Sequence, residues 1–280
     1  MIEKPTMLEI ESIVDEAKDF KTFIFKYNLK SNPGEFVMVW LPSIDEKPFS
    51  ISFQDKERFG ITVFEVGDFT SKLFKMEEGD KVGIRGPYGN GFSLKGSGKS
   101  KISGTSKNKV FVGSNVVLVG GGCGTAPLGF LADELKKNGS EINFIIGSRS
   151  KDYLLFLDRM KKAKIKTSVA TDDGSFGFNG FTTELLEAYL LENKIDRVYS
   201  CGPEIMMKKI VEICSELNVP CEVSLERYMK CGFGLCGQCC MDGTGERVCK
   251  EGPVFSGEKV KKLIEFGKYQ RSKSCKKVNL

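Results

Sequence analysis

Cys231, Cys236 and Cys239 stand at C-x4-C-x2-C, and Cys249 follows after nine more residues. This is the plant-type [2Fe-2S] spacing, in which three thiolates share a loop and a fourth arrives from further along the chain. Gly232, Gly234 and Gly237 lie between the cysteines. A loop wrapped around a cluster needs unusual backbone angles and close approach of amide N–H groups to sulfur, and glycine permits both. A four-cysteine zinc site with Cys236-x2-Cys239 as a knuckle is the competing reading; the x4 gap and the nine-residue return fit it less well. Inert buried thiols are the third. The x2 spacing selects Cys239 as the ligand and leaves its neighbour Cys240 beside the cluster. Cys123, Cys201, Cys214, Cys221 and Cys275 are too dispersed to make a second cluster and read mostly as core residues.

A second chemistry-bearing segment is Gly120-Gly-Gly-Cys-Gly-Thr-Ala-Pro127, which follows the apolar run Val116–Val119 and opens a helical stretch. At such a turn the backbone can approach a pyrophosphate, and the helix start favours negative charge. The pattern is not G-x-G-x-x-G followed by an acidic residue. Ser200-Cys-Gly-Pro-Glu204 is another strand-to-helix turn. Two glycine turns at the carboxyl ends of strands make a nucleotide cleft, with plain strand–helix packing as the alternative. Histidine is absent, which removes Ser-His-Asp and Cys-His mechanisms, His-ligated metals and His bases. Cofactors, or Cys, Asp, Glu and Lys, must carry the chemistry. The net charge of +5 is far below the concentrated positive charge of a nucleic-acid binder.

The elements that must position these residues fall into distinct stretches of the 280-residue chain. Residues 1–95 are β-rich: Phe36–Leu41, Phe49–Phe53, Ile61–Phe64 and Lys81–Ile84 are short apolar runs between turn residues, suited to an antiparallel barrel or sandwich. Gly79-Asp80 is expected as a tight turn between two such runs. Residues 96–115 form a polar connection rich in Gly, Ser, Lys and Thr. Residues 116–223 alternate strands with helices expected at Thr125–Lys137, Asp152–Lys162, Phe181–Leu191 and Glu204–Leu217. That order predicts a parallel, doubly wound sheet. Residues 224–280 make a small cysteine-bearing domain, with a short helix expected near Gly257–Phe266 and a basic end, Lys268–Lys277, expected to fray. Met1-Ile-Glu-Lys-Pro has no apolar core of a signal peptide. The longest uncharged run, Val110–Ala132, is too rich in glycine to be a membrane helix. A soluble, cytoplasmic protein with reduced cysteines is expected, with neither nucleic acid nor membrane as partner.

Lys47-Pro-Phe-Ser-Ile51, Gly86-Pro-Tyr-Gly-Asn-Gly91, Gly120–Thr125, Thr171-Asp-Asp-Gly-Ser175, Cys201-Gly-Pro203 and the cysteine loop occur in this order. The ensemble resembles the ferredoxin-reductase-like flavoproteins. Within them it is most similar to the electron-transfer subunits of type B, NAD-dependent dihydroorotate dehydrogenases. Ser224-Leu-Glu-Arg227 and Val248–Phe255 strengthen the match, and the short return to Cys249 with the doubled cysteine resembles the archaeal branch. The resemblance implies FAD on the barrel, NAD on the α/β domain and a [2Fe-2S] cluster at the C-terminus. It places Lys47, Pro48, Phe49 and Ser50 against the flavin, with Ser50 near its reactive N5 edge. Gly67, Thr70 and Ser71 would hold the FAD pyrophosphate at a helix start. Gly120, Gly121, Gly122, Gly124, Thr125, Cys201, Gly202 and Pro203 would flank the nicotinamide nucleotide, with Cys201 near the nicotinamide. Two positions depart from the family. Lys47 replaces the usual Arg, so a point charge replaces a bidentate fork and looser phosphate geometry is expected. Phe69 stands where glycine is usual.

The implied route runs from a partner flavin through [2Fe-2S] and FAD to NAD+, in pyrimidine (UMP) biosynthesis. Dihydroorotate oxidation would lie on a separate FMN-containing catalytic subunit, in a heterotetramer with two copies of each chain. A (β/α)8 barrel needs about 250 residues of its own, and this chain has no room for one. The same motifs are similar to the FAD/[2Fe-2S] subunits of sulfhydrogenases, sulfite reductases and NADH-dependent ferredoxin:NADP oxidoreductases, which would change only the docking surface. A zinc-stabilised nucleotide-binding module without redox chemistry is the reading from another class. Ser148, Arg149 and Lys151 follow the second strand of the sheet, where a 2′-phosphate could be met, so NAD rests on the resemblance.

Overall fold

Period-two alternation in the first stretch closes six antiparallel strands into a barrel. The computed structural model describes residues 4–94 and 113–280, so the polar connection lies outside the described residues apart from 113–115. The strands are β1 (Thr6–Ala17), β2 (Phe20–Lys26), β3 (Phe36–Leu41), β4 (Asp45–Gln54), β5 (Arg58–Phe64) and β6 (Lys81–Tyr88), in the order β1-β2-β5-β4-β3-β6. Phe23, Phe25, Val37, Val39, Ile51, Phe59, Ile61 and Val82 fill the interior. Closure gives every strand a neighbour on both sides, although β4 meets β5 only over Ile51–Gln54. Helix α1 (Asp68–Phe74) separates β5 from β6. Gly79, at φ +94, does turn the chain, but into β6 after a helix, and β5 and β6 are not neighbours.

The second unit is a sheet of β7 (Asn115–Gly121), β8 (Glu141–Ser148), β9 (Lys166–Thr171), β10 (Phe178–Asn179), β11 (Arg197–Cys201), β12 (Cys221–Ser224) and β13 (Val254–Ser256). Their order is β10-β9-β8-β7-β11-β12-β13. On β7, Val116 and Leu118 enter one core while Val117 and Val119 enter another. Helices α2 (Thr125–Lys137) and α3 (Leu157–Lys162) cover the first face, and α4 (Thr182–Glu192) and α5 (Glu204–Glu216) the second. Burial on both sides is why the strand reads as an unbroken apolar run. The first six strands pair in parallel, but β13, from the cysteine-bearing stretch, adds antiparallel to β12.

Two helices are shorter than their patterns predict. Leu154, Leu155 and Phe156 are all buried. Three successive residues cannot share one helical face, so a 3-10 turn at Lys151–Tyr153 ends there and Phe156, at φ +64, restarts the chain as α3. Near Gly257 only one turn, α6 (Gly257–Val260), forms. The basic end does not fray: β14 (Tyr269–Arg271) and β15 (Lys277–Asn279) form a hairpin. It is tied to Asp242 by the Arg271 guanidinium (3.0 and 2.9 Å) and the Tyr269 hydroxyl (2.7 Å).

The barrel is pinned to the sheet unit through β4. Arg159 Nη2 donates to the Ser52 carbonyl at 3.0 Å and to Asp133 Oδ2 at 2.6 Å. Its guanidinium lies 4.7 Å from the Phe156 ring centre. Arg159→Ala strips both acceptors of their donor and is expected to cost about 1–2 kcal/mol of stability. The check is urea unfolding, with a lower midpoint at unchanged slope.

Candidate functional site

Strand order reverses between β7 and β11, so the crevice at their carboxyl ends is where an open α/β sheet binds ligands. A cleft of about 750 Å³ opens there, with Gly121, Gly122, Gly202 and Pro203 in its wall. Gly120, Gly124, Thr125 and Cys201 lie buried beneath. A Cβ on Gly124 would stand 2.3 Å from the Cys201 carbonyl oxygen and 2.4 Å from the Gly202 nitrogen. The two glycine turns therefore pack backbone against backbone, and that close approach is what lets both border one cleft. Thr125 Oγ1 is buried and meets no hydrogen-bond partner among the described residues.

Several lining residues carry no role in the sequence reading, among them Asp172, Phe181, Glu226 and Gln270. Asp172 and Glu226 lie inside segments that carry the resemblance, which was the available signal. Gln270 reaches the cleft from the C-terminal hairpin, and nothing local announces that. Glu226 is open to solvent through the mouth of the cleft yet surrounded by protein. Burial raises its pKa, the nearby Glu204 adds to the rise, and Arg227 opposes it. Cys123 borders the same cleft, and burial, with Glu226 next, pushes its thiol up to about 12. Below them Arg227 is buried between Glu204 and Glu265, donating from Nη1 to Glu204 at 2.5 Å and from Nε to Glu265 at 2.8 Å. Arg227 thereby ties the sheet to the cysteine-bearing segment.

Glu46 to Ser50 on β4 are all half-buried, breaking the strand's alternation because the C-terminal segment packs on this side of the barrel. The Lys47 ammonium donates to Asp45 and, at 3.4 Å, to the Tyr228 hydroxyl, and it lies 5.2 Å from the Tyr228 ring centre. Phe49 stacks on Phe69 at 5.9 Å, so the ring that replaces a glycine is buried and covers the aromatic of the Lys47 motif. Ser50 faces Phe36 across the β3–β4 ladder. Gly67 caps α1, and nothing lies within 4 Å of where its Cβ would be. The Thr70 hydroxyl is taken up by that first turn: it accepts from Val66 N (2.9 Å) and Gly67 N (3.0 Å) and donates to Gly67 O (2.9 Å). Ser71 lies half-buried beside it.

In the cysteine loop Gly232, Gly234 and Gly237 hold φ of +78, +86 and +73, which L side chains adopt only with strain. These turns aim amides at sulfur: Leu235 N and Cys236 N donate to Cys231 Sγ at 3.3 and 3.4 Å, and Cys249 N to Cys239 Sγ at 3.4 Å. Cys231 interacts with Cys236, and Cys239 with Cys249. Burial pushes the Cys231 thiol up, but the amides of Cys236, Phe233 and Leu235 together outweigh it and bring it down to about 7. Cys239 falls to about 6, chiefly through its bond with Cys249, whose own thiol rises. Cys240 belongs to neither pair. Among the described residues no three Cys, Asp or Glu side chains converge as a single-ion site requires. Two thiol pairs with amides on their sulfurs suit a two-iron cluster. Of the dispersed cysteines, Cys201, Cys214 and Cys221 are buried, Cys123 is open to solvent only through the cleft it lines, and Cys275 is exposed.

Comparison with known proteins gives two family matches. Residues 226–261 match the iron-sulfur cluster binding domain of dihydroorotate dehydrogenase B, and residues 118–212 the oxidoreductase NAD-binding domain. A probable dihydroorotate dehydrogenase B (NAD(+)), electron transfer subunit of Methanocaldococcus jannaschii is 47% identical over 277 residues, covering 99% of each chain. Its counterpart in Methanothermobacter thermautotrophicus is 45% identical, covering 98% of this chain and 97% of the other. Among solved structures, a chain of NADH-dependent reduced ferredoxin-NADP oxidoreductase superposes with TM-score 0.77 at 32% identity, over 90% of this chain and 89% of its own. Phthalate dioxygenase reductase, at 18% identity and TM-score 0.58 over 75% of this chain and 64% of its own, shares the fold.

Proposed function

The chain belongs to the family of dihydroorotate dehydrogenase B electron transfer subunits, and on that premise we propose which of its residues carry electrons to NAD+. It is an oxidoreductase subunit of pyrimidine biosynthesis that works with a separate catalytic subunit, uses FAD and an iron-sulfur cluster, and takes NAD as co-substrate. The sulfhydrogenase, sulfite reductase and ferredoxin:NADP readings are not favoured, since near-full-length identity is higher to the dihydroorotate subunits. FAD, when bound, links two-electron exchange with the nicotinamide to one-electron exchange with the cluster.

The observation that carries the residue assignment is that β4 touches both of its electron partners' segments. Lys47 meets Tyr228 of the cysteine-bearing segment, and Ser52 meets Arg159 of the sheet unit. Residues 1–95 would hold FAD on the face of Lys47–Ser50, with Gly67 and Ser71 at the α1 start receiving its phosphates while Thr70 shapes that turn. Residues 116–223 would hold NAD, with Gly121, Gly122, Gly202 and Pro203 against the nucleotide and Gly120, Gly124, Thr125 and Cys201 supporting them from below. Residues 224–280 would hold the cluster on Cys231, Cys236, Cys239 and Cys249. The catalytic partner is an FMN-containing chain, two copies of each forming the complex, in the cytoplasm; no helix among the described residues is long and apolar enough to cross a membrane. Co-purification under anaerobic conditions tests this: an FMN subunit and dihydroorotate-driven NAD+ reduction are expected, and recovery with hydrogenase or sulfite reductase subunits would overturn it.

Glu226 makes nucleotide binding depend on pH. Its pKa is raised above 4.5, so it ionises only as pH climbs through that higher value, facing Glu204, Arg227, Cys123 and Cys201. Once charged, it attracts the cationic ring of NAD+ and not the neutral ring of NADH. The preference for NAD+ is expected to rise about tenfold across this transition, and Glu226→Gln should flatten it. Binding titrations of both nucleotides over a pH series that starts at 4.5 and rises are the check.

A further inference from the structure

The contact between barrel and cysteine loop has a charge at its centre. Arg85 on β6 is only 7% exposed. Its guanidinium forks onto Glu46 of β4, Nε donating to Oε1 at 2.7 Å and Nη2 to Oε2. Nη2 also donates to the carbonyl of Cys231 at 3.1 Å. The rings of Tyr88 and Phe233 lie 5.8 and 5.6 Å from the guanidinium carbon. Beside it the loop lies flush on the barrel: a Cβ on Gly232 would stand 2.7 Å from Met38 Cγ.

Packing alone does not call for this arrangement, because apolar side chains of similar volume hold such a contact as well as a buried ion pair does. What apolar side chains cannot supply is direction. The cation touches the backbone of a cysteine ligand, and the carboxylate sits on the strand that carries Lys47 to Ser50, so the pair forms a dipole along the line from loop to strand. A fixed positive charge next to a redox group favours its reduced form.

We propose that Arg85 is a positioning residue for electron passage between the cysteine loop and β4: it clamps the Cys231 carbonyl to Glu46, and its charge raises the electron affinity of the group that Cys231 helps to hold. This rests on the reading of the loop as an iron-sulfur site.

The experiment is a redox titration of the complete two-subunit complex followed by the cluster's electron paramagnetic resonance signal, with iron content measured on each sample. Arg85→Met leaves Glu46 as an unbalanced negative charge. It is expected to shift the reduced-to-oxidised ratio at a fixed potential about tenfold toward oxidised, about 59 mV for one electron. Glu46→Gln removes the opposite charge and is expected to shift the ratio the other way. Arg85→Lys keeps the charge without the fork, so its midpoint should stay near the wild type while its resonance broadens as the loop loosens. A midpoint unmoved in both Arg85→Met and Glu46→Gln at full iron content would overturn the proposal, as would shifts of the same sign in both, the mark of a scaffold residue. Should Arg85→Met fail to fold, Glu46→Gln and Arg85→Lys still decide the sign. A wild-type complex with no iron-sulfur signal would instead remove the reading of the loop, an outcome distinct from a silent substitution.

Discussion

Cys239→Ala is expected to abolish dihydroorotate-driven NAD+ reduction by the complex, lowering it by about three orders of magnitude, while Cys240→Ala, one residue on, leaves it within about twofold. The two thiols differ in partnership. Cys239 is buried, pairs with Cys249 and accepts the Cys249 amide at 3.4 Å. Cys240 is half-buried, belongs to neither thiol pair, and lies where the main chain bridges to Arg247. Removing a ligand from a cluster loop removes the folding energy that metal binding supplies there, so iron content should fall with the activity in Cys239→Ala. NADH oxidation with an artificial electron acceptor does not need the cluster and should persist. Iron analysis, visible absorbance and the two activities, measured on the same preparations, check this. Loss of iron in Cys240→Ala with retention in Cys239→Ala would exchange the ligands.

The chain displays some kinds of information along its length and leaves others to the fold. The cysteine spacing, the glycines at positive φ between them and the glycine turn after an apolar strand are short-range constraints, so they can be read directly. The barrel and the parallel sheet are legible for the same reason, through periods of two and unbroken apolar runs. Partnerships across the fold are not. Lys47 is half-buried against Tyr228, 181 positions away, and the cation of Arg85 reaches Cys231 over 146. The pairing of β13 with β12 needs the cysteine-bearing segment to return to the sheet, and an antiparallel edge three residues long leaves no periodicity to detect. The basic end looks soluble and loose until Asp242, whose partners lie in another stretch, is placed beside Arg271 and Tyr269. Glu226 reads as one charge in a polar string, and only the cleft gives it chemistry.

Gly124→Ala against Thr125→Val separates shape from contact in the proposed nucleotide site. Both positions belong to the glycine-turn motif and both are buried, but their physics differs. A methyl at Gly124 meets the Cys201 carbonyl and the Gly202 amide at 2.3 and 2.4 Å. Both are backbone atoms of the facing turn, which cannot rotate aside as a side chain would. The turns must part, at an overpacking cost of about 1–3 kcal/mol, and the displacement falls on Gly121 and Gly202 in the cleft wall. The KM for NAD+ is expected to rise at least tenfold, about 1.4 kcal/mol, with iron content unchanged because none of Cys231, Cys236, Cys239 and Cys249 lines the cleft. Thr125→Val keeps the shape and deletes a buried hydroxyl that has no partner among the described residues. Removing an unsatisfied polar group relieves about 1 kcal/mol, so the variant should melt higher with KM unaltered. Steady-state kinetics and thermal unfolding of the pair decide the matter: a raised KM in Thr125→Val would mean that the hydroxyl binds the nucleotide directly, whereas the expected result makes residues 120–125 a site built from backbone and clearance.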